Sequence, residues 1–151
     1  LCGTIFIDRQ RKNQIRSLVL EMSEKLNQGV SIVLFPEGRA TNGDRMLPFQ
    51  TAPLAAPLRN HSIIVPVTLR YMHLDDSPIS KENRDLIYCY DEMDFVPHFW
   101  KLLSLRRIEV VVTIRRKIDC AHYEDTSAGR KQLALDCYHR VLGEFVECAQ
   151  Q

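Results

Sequence analysis

The stretch from Phe35 to Phe49 holds the residues whose types and order are most suggestive of chemistry. It reads Phe-Pro-Glu-Gly-Arg-Ala-Thr-Asn-Gly-Asp-Arg-Met-Leu-Pro-Phe and directly follows an apolar run. A buried strand that ends in a proline, a carboxylate and a glycine presents backbone N–H groups, a fixed charge and an arginine at one edge of a sheet, an arrangement that can hold an anion. The alternative is an ordinary strand-to-loop turn with surface charges, because glycine and arginine commonly follow strands.

Two histidines have carboxylates close to them in sequence. These groupings are His73 with Asp75 and Asp76, and His122 with Asp125. Both lie in polar segments away from the predicted ligand edge, and we interpret them as solvated loop histidines. The spacing fits neither a Cys–His nucleophile pair nor a metal site. The sequence therefore assigns no catalytic residue and no metal ligand.

A predicted βαβ unit must position the Phe35–Phe49 stretch. The pattern predicts a strand, an amphipathic helix, its glycine cap and a second strand buried on both faces: Leu1–Ile7, Arg11–Asn27, Gly29 and Val30–Phe35. The helix carries one apolar stripe: Ile15, Leu18, Val19, Met22 and Leu26. Because such crossovers are right-handed and make the strands parallel, the strand ends near Arg9 and Pro36 are expected at one sheet edge, where open α/β sheets bind ligands.

The rest of the sequence predicts further strands and two helices. The strands are Ser62–Leu69, Asp85–Tyr90 and Ile108–Arg115, and the helices are His98–Leu105 and Ala128–Cys148. Two segments read as loop or broken helix: Gln50–Asn60 and Tyr71–Arg84. The predicted fold class is α/β, with a central mixed, largely parallel β-sheet flanked by helices, in a single domain over residues 1–151.

Composition narrows the class of protein further. The chain has 151 residues, 45% of them hydrophobic and 26% charged, with a net charge of +1. These values exclude disorder and give no global electrostatic drive toward nucleic acid or anionic lipid. Its five scattered cysteines argue against a disulfide framework or a zinc site. Since no apolar run reaches the length of a membrane span, we expect any membrane contact to be peripheral. The chain begins at Leu1 in a strand-like segment, so we expect that an N-terminal part is missing.

Three sequence blocks resemble, in order, those of the glycerolipid acyltransferases of the 1-acyl-glycerol-3-phosphate acyltransferase type. Gly3–Arg9 is similar to the family's G-x-x-F-x-x-R block, Phe35–Gly38 to its F-P-E-G block, and Ile64–Val67 to its V-P-V type block. The segment Tyr90–Trp100 also resembles a bacterial subset that includes lyso-ornithine-lipid acyltransferases. The resemblance covers nearly the whole chain.

The resemblance implies transfer of a fatty acyl group from acyl-CoA or acyl carrier protein to a lysophospholipid hydroxyl, with no cofactor beyond that co-substrate. It implies that the reaction takes place at the cytoplasmic face of a membrane. This chain would be attached peripherally, and a membrane anchor would lie in the missing N-terminal part. The substrate-binding positions that it implies are Gly3, Phe6, Arg9, Pro36, Glu37, Gly38, Arg39, Thr41 and Pro66. Arg9 and the Glu37–Thr41 loop would hold the phosphate-bearing acceptor, because guanidinium groups form forked hydrogen bonds to phosphate. Glu37 would not contact the phosphate directly, because the carboxylate and the phosphate are both anions and repel each other. It would instead orient Arg9 or Arg39, or bind an acceptor hydroxyl.

The sequence departs from the family pattern in two ways. Arg39 stands where the family usually has threonine, which bears on the acceptor head group. The family's catalytic block H-x-x-x-x-D, in which histidine is the general base, is absent, because the fifth residue after each histidine is Pro66, Pro78, Leu103, Ser127 or Glu144. This chain alone is therefore expected to be inactive. The alternatives are a non-catalytic phospholipid- or phosphate-binding module and a decayed fragment with exposed apolar sheet surface.

The segment from His98 to Arg107 is aromatic, then apolar, then basic. This order would suit a helix at a lipid interface. It equally suits a core helix whose basic end complements the helix dipole, and the short length with a single tryptophan favours the core interpretation. The run Arg115–Lys117 is interpreted as a solvated strand end, and the alternative is that it adds attraction to an anionic membrane surface.

Overall fold

A computed structural model describes Gly3, Ile5, residues 14–90 and residues 93–149, the segment 144–149 by its backbone only. The helices are α1 (Gln14–Asn27), α2 (Ala55–Arg59), α3 (Phe95–Leu103) and α4 (Ser127–Ala149), with 3-10 turns at Arg84–Leu86 and Cys120–His122. The strands are β1 (Ile63–Ile64), β2 (Val67–Leu74), β3 (Ser77–Pro78), β4 (Ile108–Ile114) and β5 (Ile118–Asp119). The mixed α/β class predicted from the sequence is confirmed.

Helix α1 follows the predicted apolar stripe over most of its length. Leu18, Val19 and Met22 are buried, whereas Ile15 is 46% exposed, so its predicted burial is wrong. The predicted glycine cap is confirmed at Gly29, whose φ is +76°. The N–H of Gly29 donates to Leu26 O at 2.9 Å and that of Val30 to Lys25 O at 3.0 Å, the paired bonds of a Schellman motif. This cap turns the chain toward the 30–35 segment.

The 30–35 segment is extended but forms no strand, so the prediction of a strand buried on both faces is wrong. Ile32 and Leu34 are half-buried against the core, whereas Val33 is 84% exposed and Phe35 is 73% exposed. An extended segment becomes a strand only when a neighbour accepts its backbone hydrogen bonds. Its predicted partner, Leu1–Ile7, lies outside the described residues except for Gly3 and Ile5, which are not in a strand.

All strand pairs among the described residues are antiparallel. Strand β2 lies between β3 and β4, and β1 pairs with β5. The largely parallel sheet predicted from the sequence is therefore not confirmed. The predicted strand Ser62–Leu69 is divided into β1 and β2 by Val65–Pro66, because Pro66 has no N–H to donate to a ladder.

Two predicted boundaries downstream are wrong. The segment Tyr71–Arg84, predicted as loop, continues β2 to Leu74 and turns into β3 through Asp75, whose φ is +50°. The predicted strand Asp85–Tyr90 begins instead as the 3-10 turn at Arg84–Leu86. Side-chain bonds hold this turn region, because Asn83 accepts from Ser80 N at 2.8 Å and donates to Pro78 O at 2.9 Å. Such local bonds compete with a strand ladder.

Helix α2 joins the two hydrophobic clusters of the core. Its Ala55 and Ala56 pack with Leu18, Val19 and Met22 of α1, and Leu58 packs in the other cluster with Leu54, Ile118, Cys120, Leu133, Ala134 and Cys137. Helix α4 thus covers the core through Leu133, Ala134 and Cys137. Each fully buried leucine contributes about 2 kcal/mol of burial free energy.

Helix α3 is confirmed near its predicted position, but its predicted packing is wrong. The residue that it buries is His98, at 6% exposure, and its large apolar side chains are exposed. Strand β4 also has exposed apolar side chains, with Val112 at 56% and Ile114 at 71% exposure. The short α3 packs on the 84–86 turn through its His98 side, which leaves its aromatic side outside the core.

Candidate functional site

The segment from Pro36 to Phe49, which we call the 36–49 loop, is closed by hydrogen bonds across its base. The Gln50 N–H donates to Pro36 O at 2.7 Å, and the Leu47 N–H donates to Glu37 Oε2 at 2.7 Å. A bond to an ionised carboxylate is stronger than one between neutral groups. Glu37 therefore braces the loop from inside, a role that sequence reasoning did not assign to it.

Gly38 is required by its backbone conformation. Its φ is +75°, and an added Cβ would lie 3.3 Å from Gln50 Cγ. An L side chain is strained at this φ, so glycine fits the turn best. The N–H of Gly38 donates to Phe35 O at 3.2 Å. The predicted cradle of free N–H groups is therefore wrong at Gly38, because this donor is already satisfied inside the turn.

The tip of the loop is ordered by its own polar side chains. The Gly43 N–H donates to Thr41 Oγ1 at 3.3 Å, and the Asp44 N–H donates to Asn42 Oδ1 at 3.2 Å. The Asn42 amide donates to Asp44 Oδ2 at 2.7 Å. Thr41 accepts in this arrangement, so its own hydroxyl proton is left for an outside acceptor.

An ion pair ties the loop tip to a distant part of the chain. The Arg84 guanidinium donates through both terminal nitrogens to the two carboxylate oxygens of Asp44, one of them at 3.2 Å. The hydrogen bond from Arg84 lowers the pKa of Asp44 below its usual 3.8, and the same bond raises the pKa of Arg84. Nothing in the sequence indicates this pair, because forty residues separate its members.

An edge-to-face pair of tyrosine rings supports the loop tip from the side of the sheet. An added Cβ on Gly43, whose φ is +83°, would lie 3.1 Å from the ring of Tyr88. Tyr88 packs edge-to-face on Tyr71 of β2, with ring centroids 5.7 Å apart. Desolvation raises the pKa of the Tyr88 hydroxyl. The predicted loop thus rests on a strand that lies far away in sequence.

The core links the 36–49 loop to the Ile64–Val67 block. Leu34 and Phe49, at the two ends of the loop, pack against the same buried cluster as Ile64. Phe49 also contacts Tyr138 of α4 edge-to-face at 5.4 Å. Pro66 is buried, and its carbonyl accepts the Arg115 N–H at 2.9 Å. Two of the three sequence blocks are therefore held by one hydrophobic cluster.

The first block is represented by two described residues. Ile5 packs against the cluster formed by α1 and α2, together with Ile32. Gly3 is exposed, with nothing within 4 Å of an added Cβ, so no close contact requires glycine there. The predicted site residues Phe6 and Arg9 lie outside the described residues. The predicted approach of Arg9 to Glu37 stays a prediction.

Two arginines carry the outward charge of the loop. Arg39 and Arg45 are exposed, and in the described part of the chain no carboxylate lies within 4 Å of either guanidinium. The two acidic groups of the loop are already engaged, Glu37 by the Leu47 N–H and Asp44 by Arg84. The loop therefore offers positive charge to an incoming anion, and Arg45 is a candidate that sequence reasoning missed.

The histidine groupings are not catalytic dyads. The Asp75 carboxylate accepts the N–H groups of Arg106 and Arg107 at 2.7 and 2.9 Å, while His73 lies 3.4 Å from Glu109 in an exposed pair. Near His122, the Asp125 carboxylate pairs instead with arginines. Within the ranges that the structure covers, no cluster of His, Cys, Asp and Glu is arranged to hold a metal ion. Over those ranges no helix is long and apolar enough to cross a membrane.

Comparison with known proteins finds similarity to acyltransferases. Residues 1–70 match the family model described as Acyltransferase. The chain is 26% identical over 145 residues to the lyso-ornithine lipid O-acyltransferase of Brucella abortus, covering 91% of this chain and 53% of that protein. It is 31% identical over 142 residues to the same-named protein of Rhodobacter capsulatus, covering 89% of this chain and 47% of that protein.

A second group of relatives is named for a phosphate-bearing acceptor. The chain is 25% identical over 126 residues to the 1-acyl-sn-glycerol-3-phosphate acyltransferase of Neisseria gonorrhoeae, covering 83% of this chain and 47% of that protein. No solved structure matches the chain significantly. The chain spans about half the length of the curated relatives it matches. Residues 1–70 match the acyltransferase family model, and similarity to curated O-acyltransferases extends over most of the chain.

Proposed function

We propose that the chain carries the acceptor-binding part of a lysophospholipid O-acyltransferase of phospholipid biosynthesis. The observation that carries the proposal is the 36–49 loop. Within the family-matched segment, this loop is closed by Glu37 and leaves Arg39 and Arg45 outside. In the reaction, an acceptor hydroxyl attacks the thioester carbonyl of acyl-CoA or acyl carrier protein. An ester forms and the thioester C–S bond breaks. The hydroxyl proton passes to a base, and the thiolate of CoA or of the carrier protein leaves and takes up a proton.

The loop is suited to hold the acceptor head group. Arg39 supplies a guanidinium that can donate two hydrogen bonds to one anionic group, and the Thr41 hydroxyl can add a third donor. Arg9, by its place in the resembling block, would add a second guanidinium. Pro66 would form a rigid part of the wall beside the acyl chain, since it is buried and its carbonyl is bonded to Arg115.

The sequence of this chain assigns no residue as the general base that accepts the hydroxyl proton. No histidine here is followed by aspartate at the fifth position. We therefore infer that the chain by itself binds acceptor without turnover. We also infer that transfer needs no cofactor other than the acyl donor as co-substrate.

The membrane surface is the proposed place of the reaction, on its cytoplasmic side, with this chain attached peripherally. The reason is chemical, because a lysophospholipid acceptor with its acyl chain is held in or near a bilayer. The two groups of relatives are named for different acceptors, one ornithine-bearing and one phosphate-bearing. The proposal leaves the choice between these head groups to the assay.

The test is a calorimetric titration of the chain with lysophosphatidate, lyso-ornithine lipid and uncharged monoacylglycerol. We expect saturable binding of at least one charged acceptor and none of monoacylglycerol. Acyl transfer is then assayed with the complete protein encoded by the reading frame that contains residues 1–151. Binding with transfer supports the enzyme. Binding without transfer in that complete protein supports the non-catalytic module.

A further inference from the structure

Helix α3 turns its apolar side chains toward solvent. Phe95, Val96, Phe99, Trp100 and Leu103 are between 41% and 67% exposed. With about 100° of rotation per residue, these five positions lie within an arc of about 140° on one side of the helix. We call this arc the α3 face. An amphipathic helix of a soluble core would turn such an arc inward.

The orientation of the α3 face is fixed by the opposite side of the helix. His98 is buried at 6% exposure, and its Nε2 lies 3.2 Å from the carbonyl oxygen of Ile87. The helix also contacts the 3-10 turn at Arg84–Leu86. Since this polar anchor points inward, the aromatic side is held outward by the fold.

The rings of the α3 face form one continuous surface. Phe95 and Phe99 are stacked with centroids 5.8 Å apart, and Phe99 meets Trp100 edge-on at 6.4 Å. Phenylalanine and tryptophan on one side of a short helix suit the boundary between lipid head groups and acyl chains. Burying these side chains in that boundary removes apolar surface from water.

Two cations, Arg106 and Arg107, follow the α3 face at its C-terminal end, whereas Asp94 and Lys101 lie on the other side of the helix. Between residues 94 and 107 the charged side chains are Asp94, Lys101, Arg106 and Arg107. Arg107 lies 3.8 Å from Glu109, whereas no described carboxylate comes within 4 Å of Lys101 or Arg106. Cations next to an aromatic surface complement anionic head groups, with about 1 kcal/mol of attraction per charge.

We propose that the α3 face, with Arg106 and Arg107, docks the protein on an anionic lipid surface. The inference rests on the proposed function in one respect, because a lysophospholipid acceptor would then be drawn from the same surface. It differs from that function in its residues, since none of those on the α3 face lies in the 36–49 loop.

The only tryptophan of the chain reports directly on this docking. The chain is mixed with vesicles of phosphatidylcholine alone or with phosphatidylglycerol added, without any acyl donor or lysophospholipid. We expect a blue shift of Trp100 emission and quenching by brominated acyl chains, both stronger on the anionic vesicles. The variants are Phe95→Ser with Phe99→Ser, and Arg106→Glu with Arg107→Glu. Leu135→Gln, at an exposed leucine of α4, is the matched control.

The expected result is that each double variant lowers vesicle partition by about tenfold or more and that the control leaves it unchanged. High salt is expected to weaken binding of the wild type to anionic vesicles. Unchanged Trp100 emission with both vesicle types overturns the proposal. So does a concentration-dependent blue shift without lipid, which identifies a second copy as the occupant. Acceptor binding by the 36–49 loop is measured separately, so loss of that binding with vesicle docking intact refutes only the proposed function.

Discussion

Glu37 offers the sharpest single perturbation, because its role as a loop brace differs from that of a substrate contact. Its Oε2 accepts the Leu47 N–H at 2.7 Å in a half-buried position. Glu37→Ala removes this charge-assisted hydrogen bond, which is worth about 2 kcal/mol in a partly desolvated setting. Since about 1.4 kcal/mol corresponds to a factor of ten, exchange protection of the Leu47 amide is expected to fall about 30-fold.

Native-state hydrogen exchange measured by NMR checks this prediction amide by amide. Glu37→Gln is the matched variant, because its carboxamide oxygen still accepts from Leu47 and should retain most of the protection. The β2–β4 amides, which belong to a separate ladder, are the internal reference and should not change. Unchanged Leu47 protection in Glu37→Ala would refute the loop-brace role. Equal losses of Leu47 protection in the alanine and glutamine variants would show that the acceptor oxygen alone, without the negative charge, does not hold the Leu47 amide.

Three further predictions follow from the same structure. Gly43→Ala, at a φ of +83°, should destabilise the protein by about 1–2 kcal/mol in urea unfolding, whereas Gly143→Ala, in open helix, should stabilise it by about 0.5–1 kcal/mol. An NMR titration should place the pKa of Asp44 below 3.8 in the wild type and nearer that value in Arg84→Met; no difference would contradict the ion pair. Burial raises the pKa of Cys120 from 9.0 to about 12, so an unfolded chain loses this proton first as the pH rises. The unfolding free energy should fall above pH 9 by about 1.4 kcal/mol per pH unit from this thiol, and Cys120→Ala should flatten the profile.

The helices were predictable because their patterns are local. The stripe of α1 and its cap at Gly29 follow from residues at most eleven positions apart plus one glycine. The same holds for α4, where Ala134 and Cys137 fall on the buried side. Local periodicity of this kind is the strongest signal in a single sequence.

The 30–35 segment shows where local reasoning fails. A continuous apolar run does not reveal whether neighbouring strands exist to accept its hydrogen bonds. Among the described residues no strand pairs with it, and its side chains alternate between the core and solvent. Composition also failed for α3, because periodicity identifies an apolar arc but not the direction that the arc faces.

The turn that carries the candidate site was predictable, because Pro36, Glu37 and Gly38 follow an apolar run, and the structure places Gly38 in this turn at a φ of +75°. That the loop faces a ligand stays a prediction. The brace from Glu37 to Leu47 and the tie from Asp44 to Arg84 could not be read from the sequence, because each depends on how the chain folds back. The location of Arg9 relative to the loop stays a prediction.

The central claim is that the 36–49 loop binds a charged acceptor head group through Arg39. The most direct measurement is a calorimetric and NMR titration of the wild-type chain and Arg39→Ala with lysophosphatidate, lyso-ornithine lipid and monoacylglycerol. We expect one of the charged acceptors to shift the amide signals of residues 36–49. We also expect Arg39→Ala to weaken this binding by about tenfold or more, because it removes a forked, charge-assisted contact. Equal binding of monoacylglycerol, or signal shifts confined to residues outside the loop, would contradict the account.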